Sequence, residues 1–237
     1  MPAIQITGLR KSYGSFDAVQ DVSFTVEPGR VVGLLGPNGA GKTTTLHVLL
    51  GLAAPTAGRA LVQGRPYGEL DDPARTVGAL LDAGGLHPGR SGRHHLRALT
   101  LAAGLPADRV DDVLEVVGLT PAADRRVRTY SLGMRQRLGL AAALLGDPDV
   151  LVLDEPANGL DPAGMRWLRE TLRTFADDGG AVLLASHVLA EVRQVADDVV
   201  VLGQGRLITA GSLDELARDA SLEDVYLDLT AATEGVR

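Results

Sequence analysis

The amino-acid sequence predicts an α/β fold: a mixed sheet carrying αβ units, with a mostly helical segment inserted in its middle. Three apolar runs, at residues 31–35, 150–153 and 182–185, have the length and continuity of strands buried on both faces. A stretch of helical character follows each of them. In residues 82–143, between the first and second runs, apolar positions recur at helical rather than alternating spacing.

The elements follow in order. Ile4 and Ile6 alternate with polar neighbours, as do Val22, Phe24 and Val26 before the turn Pro28-Gly29, so the chain opens with strands. The run at 31–35 leads through a glycine-rich loop into a helix over about 41–50, and residues 61–63 read as another strand. Val110, Val113, Leu114 and Val117 mark a helix that Gly118 ends. Asp161-Pro162 reads as an N-cap with proline at the first helical position, opening a helix through Leu168, Leu172 and Phe175. After the run at 182–185 comes a helix near 189–196. Residues 199–202 and 207–210 then flank Gly203-Gln204-Gly205 as a hairpin. In the tail, Ser212 with Glu215 and Ser221 with Asp224 have capping-box spacing, and Leu222, Val225, Tyr226 and Leu229 share one helix face.

A chain of 237 residues suits one domain, or one domain with a small subdomain. Its charge, 23 − 30 = −7, and the lack of a long basic block argue against nucleic acid as a partner. With no cysteine there is no disulfide, thiolate metal site or cysteine nucleophile, which fits a reducing compartment. The first residues do not resemble a secretory signal, and the apolar runs are strand-length, so work at a membrane requires a partner.

Gly36-Pro37-Asn38-Gly39-Ala40-Gly41-Lys42-Thr43 satisfies G-x-x-x-x-G-K-T, with a buried strand before it and a helix after. Glycines let successive backbone N–H groups turn inward around an anion, and the helix N-terminus adds its own. Lys42 then reaches the β- and γ-phosphates, and the Thr43 hydroxyl can ligate Mg²⁺. A dinucleotide loop would read G-x-G-x-x-G and lack the lysine. Asp154 and Glu155 close the run at 150–153, at the strand end where open α/β sheets bind ligands. Alone, such a pair is often a solvated strand end. Beside a phosphate loop, Asp154 reads as the Mg²⁺ carboxylate and Glu155 as the acceptor of a proton from attacking water. His187 leaves the same end of the sheet if all three strands are parallel, as a γ-phosphate contact or water positioner. The alternative is that Ser186 caps the next helix and the histidine is incidental. His94 and His95 read as surface residues on opposite sides of a helix.

Tyr-Ser-Leu-Gly-Met-Arg-Gln-Arg, at residues 130–137, resembles the signature L-S-G-G-Q-x-Q-R of the ATP-binding-cassette (ABC) transporter nucleotide-binding subunits. The resemblance spans essentially the whole chain and is strongest for drug and antibiotic exporters of the daunorubicin and bacitracin type. It implies a P-loop NTPase fold of the ABC ATPase type: a RecA-like core with an N-terminal antiparallel β subdomain and an inserted helical subdomain. The core would take residues 1–81 and 144–211, the helical subdomain 82–143, and a short helical tail 212–237. Also implied are hydrolysis of ATP with Mg²⁺, a homodimer or pseudo-dimer, and a separate transmembrane permease that holds the subunit at the cytoplasmic face of the membrane.

Carried over residue by residue, residues 36–44, ending in Thr44, form the Walker A segment, with Asp154 and Glu155 as Walker B aspartate and catalytic glutamate. Tyr13 corresponds to the aromatic stacked on adenine, and His187 to the switch histidine. Ser131 and Gly133 would contact ATP held by the opposite subunit, and Asn158-Gly159-Leu160-Asp161 would be the D-loop at the dimer interface. Ser131 at a helix start offers a hydroxyl and free N–H groups together, whether as a plain N-cap or also as a phosphate contact. Two such surfaces meeting head to tail would bury two ATPs in a C₂ dimer.

Three departures from the pattern stand out. Leu132 and Met134 replace a glycine and a glutamine of the signature, the D-loop reads Asn-Gly rather than Ser-Ala, and Asp82 stands where the Q-loop glutamine belongs. A carboxylate at 82 is expected to reach Mg²⁺ through a bridging water. Residues 84–96 would face the permease, with Leu86 and Leu96 as contact candidates or as ordinary core. The competing readings are a cassette ATPase outside transport and an ATP-dependent regulatory switch.

Overall fold

The computed structural model describes residues 1–81, 85–218, 224 and 226. The chain forms two compact units, Met1–Asp71 with Leu172–Arg237, and Asp72–Thr171.

In the first unit, β1 (Ile4–Tyr13) lies between β2 (Phe16–Val26) and β4 (Ala57–Val62) in an antiparallel sheet. Ile4 pairs with Val26 on one side and Val62 on the other, and the alternation puts Ile4, Ile6, Val22, Phe24 and Val26 inside. β4 is longer than the expected three residues. Its early positions are exposed, so the hydrophobic pattern does not mark them as strand.

β3 (Val31–Leu35) is the spine of the second sheet. Its five residues are all buried, and it pairs in parallel with both β7 (Ala181–Ser186) and β8 (Asp198–Gly203). Burying each Val or Leu there contributes about 1.5–3 kcal/mol. β9 (Arg206–Ser212) returns antiparallel to β8, the expected hairpin. A Cβ at Gly33 would fall 2.1 Å from Val192 Cγ1, so only glycine lets α7 (Leu189–Val192) lie so close on β3. That helix is one turn, shorter than the 189–196 expected. The starts of β3 and β8 are tied by charge: Arg30 donates twice to Asp198, at 3.0 and 2.7 Å. Asp197 accepts from Val31 N at 2.8 Å and from Arg173 at 2.9 Å.

In the second unit, α2 (Pro73–Thr76) leads into β5 (Val77–Leu80), a strand not expected from the sequence, paired in parallel with β6 (Val150–Asp154). Four residues are too few to show a period. α3 (Gly92–Ala103), α4 (Arg109–Val116) and α5 (Leu132–Leu144) enclose a core that includes Leu96, Val113, Leu114, Tyr130, Leu138 and Ala141. Cβ atoms at Gly78 and Gly139 would collide with Ala143 O (2.1 Å) and Leu80 Cδ1 (2.6 Å), so α5 lies directly on β5. One expectation is corrected here: His95 is buried rather than exposed. Of the two readings of Leu96, the structure bears out ordinary core, since the residue is fully buried. Both sit on the inward face of α3, whose Leu101 is 82% exposed. α6 (Pro162–Asp177) is the helix opened by Asp161-Pro162. The end of α4 is tied to α6 through Trp167, whose Nε1 donates to Val116 O at 3.2 Å, while the Arg137 guanidinium lies 4.2 Å from the ring centroid.

Among the described residues no helix is long and apolar enough to cross a membrane. In the tail, α8 (Leu213–Arg218) is helical, as the Ser212–Glu215 spacing predicts. Ser221, Leu222, Val225 and Leu229 lie outside the described residues.

Candidate functional site

The loop after β3 is shaped by its glycines. Gly36, Gly39 and Gly41 have φ of 156°, 83° and 102°, a region that side-chain-bearing residues avoid. A Cβ at Gly36 would stand 2.4 Å from Leu202 O, and one at Gly41 2.6 Å from Ala18 O. Gly39 meets nothing within 4 Å, so its glycine answers to conformation alone. The loop closes through Ala40 N donating to Pro37 O at 3.1 Å, with Asn38 exposed at its tip. α1 (Lys42–Leu49) then begins at Gly41 with no side chain capping it. Lys42 is buried, and its Nζ curls over the loop to donate to Gly36 O at 2.7 Å. Glycine backbone at positive φ, an uncapped helix N-terminus and a sequestered ammonium together fit a chain of phosphates. Thr43 is exposed at the first turn and Thr44 half-buried.

His187 stands where the parallel-strand argument puts it relative to this loop. Leu35 of β3 is paired with Ser186 of β7, so Gly36 and His187 leave the sheet side by side. Ser186 does not cap α7. Its Oγ accepts from Val188 N at 3.1 Å, and Val188 is itself the N-cap. The backbone carbonyl of His187 accepts from the Tyr226 hydroxyl. Tyr13, 50% exposed at the end of β1, has Lys11 Nζ 4.6 Å from its ring centroid.

In the second unit, Asp154 is buried at the end of β6, followed by the half-buried Glu155. Glu155 has φ of 49°, a left-handed backbone directly before Pro156, whose ring also disfavours the right-handed region. Holding a non-glycine residue there costs about 1–3 kcal/mol, a strain that gathers at active sites. The fixing partner is Gln136 of α5, buried, whose Nε2 donates to Glu155 O at 3.1 Å. The signature reading of residues 130–137 includes Gln136 without giving it this role. The bond joins residues 19 apart, and no local pattern signals it.

Ser131 is exposed and is the N-cap of α5, its Oγ accepting from Met134 N at 3.2 Å. Gly133 is half-buried, close to the loop after Glu155: its Cβ would lie 3.2 Å from Gly159 O. Asp161 caps α6, its Oδ1 accepting from Gly164 N at 2.8 Å. Asp82 lies outside the described residues. The structure thus groups Gly36, Pro37, Asn38, Gly39, Ala40, Gly41, Lys42, Thr43 and Thr44 with His187 in one unit. It groups Asp154, Glu155, Ser131, Gly133 and Asp161 in the other.

A separate polar cavity of about 260 Å³ is lined by Arg10, Ser12, Asp17, Thr56 and Arg206, among others. Its groups satisfy one another, as in Ser12 to Asp17 at 2.6 Å and Arg206 to Gln20 at 2.7 Å.

Residues 19–158 match the family model described as ABC transporter. The chain is 36% identical to the lantibiotic transport ATP-binding protein SrtF of Streptococcus pyogenes, over 89% of this chain and 91% of that one. It is 37% identical to the bacitracin transport ATP-binding protein BcrA of Bacillus licheniformis, over 91% of this chain and 71% of the relative. A solved structure of an ATP-binding subunit of an ABC transporter superposes with a TM-score of 0.85 at 28% identity, covering 96% of this chain and 99% of the other.

Proposed function

The chain belongs to the ABC transporter family as an ATP-binding, ATP-hydrolysing subunit, and from that premise we propose that two copies close head to tail around two ATP molecules to drive a separate permease that exports antibiotic-like compounds. The carrying observation is the loop of residues 36–43, where three glycines at positive φ, an uncapped helix and buried Lys42 make a cradle for phosphates. The likeness to lantibiotic and bacitracin transport subunits supports the exporter class.

In this reading Lys42 and the loop N–H groups bind the β- and γ-phosphates, and Tyr13 stacks on the base. Thr43 and Asp154, with Asp82 at the Q-loop position, offer the oxygen ligands that Mg²⁺ favours, and the ion when bound offsets phosphate charge. Glu155 holds and accepts the proton of the attacking water, and His187 orients that water against the γ-phosphate. Ser131 and Gly133 serve the nucleotide of the other copy, with Asp161 closing the D-loop between them. Catalysis is then positioning and electrostatics, with no covalent intermediate on the protein. Loss of the γ-phosphate removes what holds the two copies together.

The test is E155Q. It should bind ATP, turn over at least about 100-fold more slowly, and run as a dimer by light scattering when ATP and Mg²⁺ are present. A monomer under saturating ATP contradicts the proposal, as does wild-type turnover by K42A.

A further inference from the structure

Two of the departures from the family pattern lie in contact. Gly159 has φ of 75°, and a Cβ built on it would fall 2.2 Å from Leu132 Cδ2, 2.4 Å from Cγ and 3.1 Å from Cβ. The second and third of these are not flexible tips, so an alanine at 159 and a leucine at 132 cannot share this arrangement. Leu132 is otherwise 53% exposed, and its Cβ, Cγ and Cδ2 lie close over Gly159. The loop beneath is held at both ends. Gln136 and the Asn158 amide bond Glu155 O at 3.1 and 3.2 Å, and Asp161 caps α6. Leu132 presses on its middle.

We propose that Leu132 and Gly159 are a matched pair, in which the leucine seated on the glycine fixes the loop between Glu155 and Asp161 and so makes Leu132 a positioning residue for hydrolysis. The inference rests on the functional reading above only for the word hydrolysis; the contact stands on geometry. Removal of the Leu132 side chain frees the middle of the loop, while a methyl at 159 pushes against the leucine and displaces either the loop or the first turn of α5. With glycine at 132 the methyl at 159 has no leucine to meet, so the double variant keeps only the loosened loop and the backbone cost of alanine at positive φ.

The experiment is a double-mutant cycle on the full chain with L132G, G159A and L132G/G159A, measuring kcat, KM for ATP and melting temperature. G159A should lower kcat about tenfold with KM changed less than about twofold, L132G should lower kcat as well, and L132G/G159A should be no slower than the slower of the two single variants, the non-additivity expected of touching residues. Equal effects of G159A in the two backgrounds overturn the pairing. If G159A alone does not fold, recovery of folded protein in L132G/G159A supports the proposal, and failure in both backgrounds overturns it. L132G should also speed amide hydrogen exchange at residues 158–160, and unchanged exchange there overturns it. Failure of the nucleotide-sharing reading would appear separately, as wild-type turnover in S131A, and would leave the coupling measured between positions 132 and 159 unaffected.

Discussion

A methyl group at residue 41 would press on Ala18 O at 2.6 Å while forcing alanine to φ 102°. G41A is therefore expected to cost about 2 kcal/mol, measured by chemical denaturation, and to abolish ATP binding. A stable variant that binds ATP would show that the loop can re-form without this glycine. His95 carries a different prediction. Burial, then the charges of Arg90 and His87, hold its imidazole below the ordinary value of 6.5. The unfolded chain therefore takes up this proton first, and stability falls as pH drops below about 6.5. H95L should lose less melting temperature than the wild type between pH 7 and pH 5; parallel curves would remove His95 from the acid response. At this scale the legible residues are those whose chemistry is contiguous. Lys42 and Thr43 belong to one eight-residue pattern, and Asp154 and Glu155 stand at the end of an apolar run. Gln136 on Glu155 O, Tyr226 on His187 O and Leu132 on Gly159 are not legible in this way, because each pair joins distant positions through folding.

The elements with strong periods are also readable: β3, β6, β7 and α4 stand where the apolar spacing puts them. The departures have physical causes. β5 is too short to show a period, the early part of β4 is exposed, and α3 buries His95 because its inward face is set by α4 and α5 rather than by composition. Packing between elements also sets the next prediction. Asp197 joins β3 to α6 by accepting from Val31 N at 2.8 Å and Arg173 at 2.9 Å. D197A should destabilise by about 1.5–3 kcal/mol, the range for hydrogen bonds to charged groups, with ATP affinity unchanged. A loss below about 0.5 kcal/mol would mean solvent replaces these bonds.

For the whole molecule, a ligand that binds only the folded chain raises its melting point by mass action, about 2.7 kcal/mol at a hundred times Kd. ATP should therefore stabilise E155Q, and more at higher protein concentration if two copies share it. K42A should remove the rise. A shift independent of protein concentration would count against closure between copies.

The stack of Arg137 on Trp167 has an experimental consequence. The chain has a single tryptophan, so its ultraviolet emission comes from one place, a ring with a guanidinium on its face and its indole N–H anchored to the end of α4. Loosening of that junction changes the charge beside the fluorophore and so the colour of its light. Without any added dye, the protein can report on a stopped-flow trace whether the helical unit rearranges as nucleotide arrives and leaves.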